Sequence, residues 1–136
     1  EYKIGGVPSG YYTTAESLVK KIDQGDKIID YYAEPIMKEL LSADDFGKYA
    51  DKMTGKMQLC FLTTNDITGG NSGSPMFNGK GELIGLAFDG NWDSLSSDIF
   101  FDSDLARCIG VDMRFVLFMM DKWGHADRLI DEINAK

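Results

Sequence analysis

A tight turn between two apolar segments is the feature that most constrains how this chain can fold. Residues 78–81 read Asn-Gly-Lys-Gly, and an Asn-Gly pair between apolar segments is a strong hairpin signal. The segments 57–64 (MQLCFLTT) and 82–88 (ELIGLAF) are short and bounded by turn residues, which is typical of buried strands. Further strands are predicted at 98–101 and 106–111, so the middle of the chain is expected to form a β-sheet.

Apolar residues recur at helical spacing on both sides of this β region. Helices are predicted at 14–23, 35–41, 42–49 and 114–123, and in a last segment that places Ala126, Leu129, Ile130 and Ile133 on one face. Thr14 and Asp112 are the expected N-caps of the first and fourth helices, and Gly124 is suited to a left-handed C-cap. The predicted fold class is therefore β-rich with flanking helices, at 14–51 and 112–134.

Length and charge limit the kind of protein this can be. The 136 residues, 43% of them apolar, fit one domain with a single hydrophobic core. The net charge is −8, and the lysines are scattered among carboxylates. This argues against nucleic acid or an anionic membrane as a partner, because both need clustered Lys and Arg. The longest apolar stretch, 115–120, is far shorter than the roughly 20 residues of a membrane-spanning helix.

Two cysteines and the first residue bear on the chain's context. Cys60 and Cys108 fit either one disulfide or two buried thiols, and their number does not choose between them. There is no CxxC and no Cys/His cluster, so no zinc site is expected. The chain begins at Glu1 without a methionine or a signal-like segment, from which we expect a trimmed chain or a piece of a longer polypeptide.

The run 63–77 (TTNDITGGNSGSPMF) carries the chemically informative residues. Glycines allow the tight backbone in which two N–H groups converge on one oxyanion. Ser72 is then the candidate nucleophile, and the N–H groups of Gly70 and Ser72 are the candidate oxyanion donors. Removing one such donor typically costs about 2.7–4 kcal/mol of transition-state stabilisation. From composition alone, a plain Gly-Asn-Ser loop is the simpler interpretation.

Two other loop motifs do not fit this run. A nucleophile elbow needs G-x-S-x-G before a helix, whereas Ser74 replaces the last glycine and Pro75 follows it. A phosphate-binding loop needs Gly-Lys-Ser/Thr before a helix, whereas Gly79-Lys80-Gly81 leads into a predicted strand. Both motifs are excluded by their context.

Three stretches follow one another in the second half of the chain: TTNDITGGNSGSP, NGKGELIGLAFDGN and VDMRFVLFMMDK. The first resembles the G-D-S-G-G-P signature of chymotrypsin-like peptidases. Together they resemble the carboxyl-terminal end of the bacterial S46 family of dipeptidyl peptidases, over residues 57–134 and more loosely at Tyr11–Thr14. The resemblance implies the second β-barrel lobe of a chymotrypsin-like serine peptidase that releases dipeptides from free peptide N-termini.

The resemblance also implies what the rest of the enzyme supplies. Chymotrypsin-like enzymes order their triad His, Asp, Ser, so the catalytic His and Asp are expected upstream, in a missing N-terminal lobe of the same polypeptide. The isolated chain is then expected to be inert. Asn71 replaces the Asp of the wider superfamily, so no zymogen activation through that Asp is expected. A periplasmic or cell-surface homodimer acting on peptides is implied, with no metal or organic cofactor.

Asp89 is the candidate partner of the substrate's amine. Pairing Phe77 with Glu82 across the turn sets the hairpin register. That register brings Ser72 opposite Ala87, with Asp89 two residues further on. Two extended residues span about 7 Å, the length of a dipeptide, so Asp89 can hold the α-ammonium while Ser72 attacks. The S46 resemblance implies an amine-binding Asp at the same position, and a β-turn beginning at Asp89 is the alternative.

Gly90 is the candidate determinant of the S1 pocket. S46 enzymes that prefer acidic penultimate residues carry an Arg at the matching position, so the resemblance implies an open, uncharged pocket here. We therefore expect an apolar or aromatic penultimate residue. Asp66 lies where trypsin-like enzymes keep their S1 carboxylate, but NDITGG looks shared across the S46 family, and Asp66 is interpreted as structural.

Alternatives to a peptidase lobe remain open from sequence. His125 lies between Gly124 and the last helix and is interpreted as part of a solvated linker rather than as the base. One alternative function is a noncatalytic module, derived from a peptidase fold, that binds peptide termini or assembles with a partner. Another is an unrelated β-rich binding domain whose Gly-Asn-Ser loop is only a turn.

Overall fold

The computed structural model describes residues 3–4, 7–25, 27–94, 102 and 104–134. The strands are β1 (Lys3–Ile4), β2 (Val7–Pro8), β3 (Tyr12–Thr14), β4 (Gln58–Thr63), β5 (Pro75–Phe77), β6 (Leu83–Gly90) and β7 (Cys108–Asp112). The helices are α1 (Ala15–Ile22), α2 (Pro35–Ser42), α3 (Met113–Lys122) and α4 (Asp127–Asn134). One compact unit contains the described residues up to Thr13 together with Leu59–Met113, and a second contains Thr14–Gln58 and the residues from Arg114 onward. Strands with flanking helices confirm the coarse fold class.

The first unit contains a five-stranded sheet in the order β3-β4-β7-β6-β5. The pairs β4–β7, β7–β6 and β6–β5 are antiparallel. Three predicted strands are confirmed to within two residues at each end: 57–64, 82–88 and 106–111. The strand predicted at 98–101 lies outside the described residues.

One cluster in this sheet forms the core of the first unit. Met76, Ala87 and Cys108 are buried, and the partly buried Phe61 packs against them. The Phe61 ring lies close to a glycine on the neighbouring strand, because a Cβ on Gly110 would lie 3.0 Å from Phe61 Cζ and 2.5 Å from Met76 Sδ. Interiors packed this closely resist any added atom, so Gly110 is required by space.

Both cysteines are thiols without a disulfide, which answers the question that their number left open. Cys60 faces Val111, whereas Cys108 faces Thr63. Side chains alternate between the faces of a strand, so the odd offset between Cys60 and Thr63 puts the two sulfurs on opposite faces of the sheet. Burial raises the pKa of the Cys60 thiol.

The turn between β5 and β6 is longer than predicted. Phe77 faces Leu83 and not Glu82. The Asn78 N–H donates to the Glu82 carbonyl at 3.0 Å, so Glu82 belongs to the turn rather than pairing with Phe77 as predicted. The Asn78 side chain adds to this closure, since its Oδ1 accepts the Glu82 N–H at 3.0 Å.

A β-bulge moves the register further. Between Met76 and Phe77 the pairing shifts by one residue, which puts Pro75 opposite Leu86. The predicted pairing of Ser72 with Ala87 is therefore wrong. Neither the side-chain closure of the turn nor the bulge is encoded in the Asn-Gly signal on which the prediction rested.

The second unit is helical. Helices α1 and α2 pack against each other. Thr14 is the N-cap of α1 as predicted, and Ser17 Oγ accepts its N–H at 3.2 Å and donates to its carbonyl at 2.6 Å. Phe118 of α3 is 1% exposed, and its ring meets those of Phe46 and Tyr49 edge to face at centroid distances of 5.5 and 6.0 Å.

Two polar pairs fasten α3 within this unit. Tyr49 Oη donates to Asp121 Oδ2 at 2.8 Å. Burial, and then this hydrogen bond, raises the pKa of Tyr49 to about 12. Arg114 Nη1 donates to Asp51 Oδ2 at 2.8 Å, and this bond, with those from Thr54, lowers the pKa of Asp51 to about 2.

The predicted helices at 14–23, 35–41, 114–123 and around 126–133 are confirmed. The helix predicted at 42–49 is wrong, because Asp44 at φ +53° and Gly47 at φ +49° interrupt it and only a single 3-10 turn, Gly47–Tyr49, forms. The left-handed residue after α3 is His125 at φ +47°, and not Gly124 as predicted. None of the helices in the described ranges has the length and apolarity needed to cross a membrane.

Candidate active site

Ser72 lies in the loop between β4 and β5, and the side chain and backbone of Asn71 close this loop. Asn71 Oδ1 accepts the Thr68 N–H at 2.9 Å and the Thr68 hydroxyl at 3.2 Å, and the Asn71 N–H donates to the Thr68 carbonyl at 3.2 Å. Three hydrogen bonds between the same two residues hold the loop in a single compact turn. The side chain at position 71 thus acts within the loop.

Two glycines beside the serine adopt left-handed backbone conformations. Gly70 has φ +96° and Gly73 has φ +87°, and a Cβ at either would meet no atom of the described residues within 4 Å. Space is therefore not what requires glycine here. The backbone conformation is the requirement, since residues with a side chain rarely adopt it.

The loop is tied to β6 on one side of Ser72. The Gly73 N–H donates to the Ala87 carbonyl at 2.7 Å, and the Ala87 N–H donates to the Ser74 carbonyl at 2.9 Å. The N–H groups of Gly70 and Ser72 have no acceptor within the part of the chain that the structure describes. Both residues are exposed, so these two donors are available to a ligand.

The Ser72 hydroxyl is also directed at β6. Its Oγ donates to the Phe88 carbonyl at 3.3 Å, so its hydrogen-bond partner on β6 is Phe88 and not Ala87. This is a long and weak hydrogen bond. An incoming base can therefore replace it at small cost.

Asp89 follows a bulge in β6. Ala87 faces Gly110 and Asp89 faces Ile109, so the pairing shifts between them and Phe88 is the additional residue. Asp89 is exposed, and its Oδ1 accepts the Gly90 N–H at 2.8 Å. No β-turn starts at Asp89, because Asp89 and Gly90 still belong to strand β6.

Asp89 and Gly90 line a cavity of about 860 Å³ within the first unit. Its walls are mainly apolar and aromatic, with Tyr11, Tyr12 and Trp92 among them. Trp92 is 86% exposed, which is unusual for so large an apolar side chain. An open, mainly apolar cavity whose lining includes the carboxylates of Asp89 and Asp93 has the character of a ligand-binding surface.

Residues 2–135 match the sequence model of the peptidase S46 family. The chain belongs to the peptidase S46 family. Dipeptidyl-peptidase 7 of Phocaeicola vulgatus is 56% identical over 128 residues, which are 94% of this chain and 17% of that protein. The Asp/Glu-specific dipeptidyl-peptidase of Porphyromonas gingivalis is 43% identical over 125 residues, which are 92% of this chain and 17% of that protein. The chain thus spans about a sixth of the length of these curated relatives.

A solved S46 structure has the same fold. The crystal structure of Porphyromonas endodontalis DPP11 in complex with the dipeptide Arg-Glu superposes with a TM-score of 0.87 at 40% identity, covering 96% of this chain and 18% of that chain. The S46 resemblance inferred from the sequence is confirmed by the family match and by this likeness.

The structure places the predicted S46 site residues as follows. Gly70, Ser72, Asp89 and Gly90 all belong to the first unit, on the loop after β4 and at the end of β6. His125 belongs to the second unit, where it is exposed in the connection between α3 and α4.

Asp66 and Asn71 differ in how they are held. Asp66 is exposed, and its Oδ1 accepts the N–H of Ile67 at 2.8 Å. This bond orders the start of the loop, in line with the structural role expected for Asp66. The closing role of Asn71 was not predicted, although an Asn three residues after a Thr in a Gly-rich turn is a recognisable signal for such side-chain to backbone bonding.

Asn91 is a residue that sequence reasoning missed. It is 8% exposed, its N–H donates to the Arg107 carbonyl at 3.0 Å, and its Oδ1 accepts the Arg107 N–H at 2.8 Å. Its Nδ2 donates to the Leu105 carbonyl at 2.9 Å. Asn91 thus continues the link between the ends of β6 and β7 after the regular ladder stops. A buried Asn needs partners of this kind, but nothing in the sequence says that it is buried.

Proposed function

We propose that the full-length protein is a serine dipeptidyl peptidase and that Ser72 is its nucleophile. The observation that carries this is the loop geometry: Ser72 lies between two left-handed glycines, and the N–H groups of Gly70 and Ser72 have no acceptor among the described residues. The names of the S46 relatives, dipeptidyl-peptidase 7 and Asp/Glu-specific dipeptidyl-peptidase, support the reaction class.

In the proposed reaction, Ser72 Oγ attacks the carbonyl carbon of the substrate's second peptide bond. The hydroxyl proton goes to a histidine base outside this chain, in the upstream lobe, and then to the leaving amine. The N–H groups of Gly70 and Ser72 stabilise the oxyanion. Water then releases the dipeptide from the acyl-enzyme, with no metal or organic cofactor.

Asp89 is proposed to bind the substrate's free amine. The support is its exposure, its place in the lining of the 860 Å³ cavity, and its position next to Phe88, whose carbonyl accepts the Ser72 hydroxyl. One carboxylate oxygen accepts the Gly90 N–H, which fixes the rotamer and leaves the other oxygen for the ammonium. The pairing of Ser72 with Ala87 does not form, so it is not part of this support.

Gly90 is proposed to form part of an uncharged S1 pocket, and we expect an apolar or aromatic penultimate residue. The lobe is proposed to be the second β-barrel of a chymotrypsin-like double barrel. The whole enzyme is proposed to be a homodimer at the cell surface or in the periplasm. These proposals rest on the likeness to S46 peptidases and not on contacts in this chain.

The test compares hydrolysis of dipeptidyl-coumarin substrates by the full-length protein and by its Ser72→Ala variant. Ser72→Ala should lower kcat by roughly a millionfold, as loss of a triad serine does, and leave the melting temperature unchanged. The matched control is Ser42→Ala, at the exposed end of α2. Retention of more than a small fraction of the activity by Ser72→Ala would refute the proposal.

A further inference from the structure

The space for a side chain at position 90 is limited by Ser94. A Cβ added to Gly90 would overlap sterically with Ser94 Oγ, and would lie 3.3 Å from Ser94 Cβ and 3.6 Å from Ile67 Cγ2. The last distance is ordinary van der Waals contact, so among the described residues Ser94 is the one that obstructs a side chain at position 90. The φ angle of Gly90 is outside the left-handed range. The backbone here accepts any residue, and only the space is missing.

At Gly85, a buried glycine of the same strand, the obstacle to a side chain includes backbone. A Cβ on Gly85 would lie 2.5 Å from the Val111 carbonyl oxygen, and 2.8 Å from the ring of Phe61. A backbone obstacle cannot be removed by substitution. The obstacle at Gly90 is a small side chain that one substitution removes.

Ser94 is held firmly where it is. Its Oγ donates to the Asn91 carbonyl at 2.6 Å, and its N–H donates to the same carbonyl at 3.0 Å, within the 3-10 turn Trp92–Ser94. Asn91 is itself fixed to Arg107 and Leu105. The hydroxyl therefore cannot swing aside without breaking a short hydrogen bond to an anchored residue.

We infer that Ser94 is a second specificity-determining residue that acts together with Gly90 at the S1 wall. A side chain at position 90 and the hydroxyl at position 94 exclude one another. The preference of the pocket then depends on the pair, and a side chain introduced at position 90 reaches the pocket correctly only when the hydroxyl at position 94 is removed. This inference rests on the proposed function, because it takes Gly90 as part of S1.

The first test is steric and uses the full-length protein. Gly90→Ala should lower the melting temperature and lower kcat/KM for a substrate with penultimate Phe, and the double variant Gly90→Ala/Ser94→Gly should restore both. The coupling between the two substitutions should be at least about tenfold in kcat/KM. Gly79→Ala is the matched control, since a Cβ there meets no described atom within 4 Å and its φ is not left-handed. It should lose nothing relative to its own background, which is the wild type in one comparison and the Ser94→Gly single variant in the other.

The second test reads specificity directly. An arginine at position 90 can pair with a penultimate glutamate, so the ratio of kcat/KM for Glu over Phe substrates reports its placement. Gly90→Arg alone should lose Phe activity and gain little on Glu, whereas Gly90→Arg/Ser94→Gly should raise the Glu/Phe ratio at least about tenfold above that of Gly90→Arg. A merely structural role of Ser94 would change both substrates equally.

The outcomes separate this inference from the proposed function. If Gly90→Ala is as stable and active as the wild type, or if Gly90→Arg alone shifts the ratio as far as the double variant, the inference is overturned while the peptidase proposal stands. If the wild type cleaves no dipeptide and Ser72→Ala changes nothing, the proposed function fails and takes the specificity role with it. If Gly90→Arg does not fold, the Gly90→Ala pair still decides.

Discussion

At the scale of single residues, Asn71 is the support on which the Ser72 loop depends. Asn71→Ala removes both hydrogen bonds that its Oδ1 accepts from Thr68. Net contributions of about 0.5–1.5 kcal/mol for each bond predict loosening of the loop and a fall of about tenfold or more in kcat/KM. Asn71→Asp keeps an acceptor oxygen and should retain more activity. Equal loss in both variants would show that Thr68 is not the partner that matters.

Asp89 gives a second prediction at this scale. Asp89→Asn should lower kcat/KM for dipeptide substrates with a free amine by about tenfold or more, because a charge-assisted hydrogen bond of roughly 1.5–3 kcal/mol is lost. The same substrates carrying an N-acetyl group serve as the control, since they have no ammonium to lose. The free-to-acetylated ratio of kcat/KM should therefore collapse in the variant. An unchanged ratio would place the amine elsewhere.

Residue types in the site were predictable from the sequence, whereas contacts that depend on register were not. The run from Gly70 to Gly73 predicts a tight loop around a serine, and the structure has left-handed glycines on both sides of it. The exclusion between Gly90 and Ser94 depends on a 3-10 turn after the strand. No local sequence pattern indicates where that turn points a hydroxyl.

At the scale of secondary-structure elements, Gly110 of β7 sets how closely the sheet's core can pack. Gly110→Ala would push a Cβ against Met76 and Phe61, and overpacking of this kind costs about 1–3 kcal/mol of unfolding free energy. Chemical denaturation of the full-length protein measures it, with Gly79→Ala as the control at an open turn position. A loss no larger than that of the control would mean that the core has room at this point.

The Arg114–Asp51 pair predicts a pH dependence for the anchoring of α3. The pKa of Asp51 is lowered to about 2, against about 3.9 in an unfolded chain. A lowered folded pKa contributes stability that is present above pH 4 and lost as the pH falls from about 4 to about 2. In that window, Asp51→Asn should reduce the proton uptake on unfolding by up to about one, which flattens the dependence of unfolding free energy on pH. An unchanged slope would mean that the pair is not formed.

Elements with strong local signals were predicted well, and their boundaries and pairings less so. Helix α1 follows from its apolar spacing and its Thr14 cap. The hairpin between β5 and β6 forms, but its predicted register was wrong. Asn78 closes a longer turn with its side chain, and a bulge follows Met76. A bulge changes which residues face each other without changing the alternation of residue types on either side, so the pattern that identifies a strand is silent about it.

At the scale of the whole molecule, the chain supplies the proposed nucleophile, oxyanion donors and amine-binding carboxylate, but not the proposed base. Gly70, Ser72 and Asp89 are in one unit of the chain. The chain spans about a sixth of the length of its S46 relatives. The base is expected from outside this segment. Serine without its base is a weak nucleophile, so the account predicts that the 136 residues alone cleave nothing.

The most direct test of the nucleophile is to treat the full-length protein with a fluorophosphonate and locate the adduct by peptide mapping. The account predicts one adduct on Ser72, slowed by a competing dipeptide substrate and absent from Ser72→Ala. An adduct on another residue, or undiminished labelling of Ser72→Ala, would contradict it.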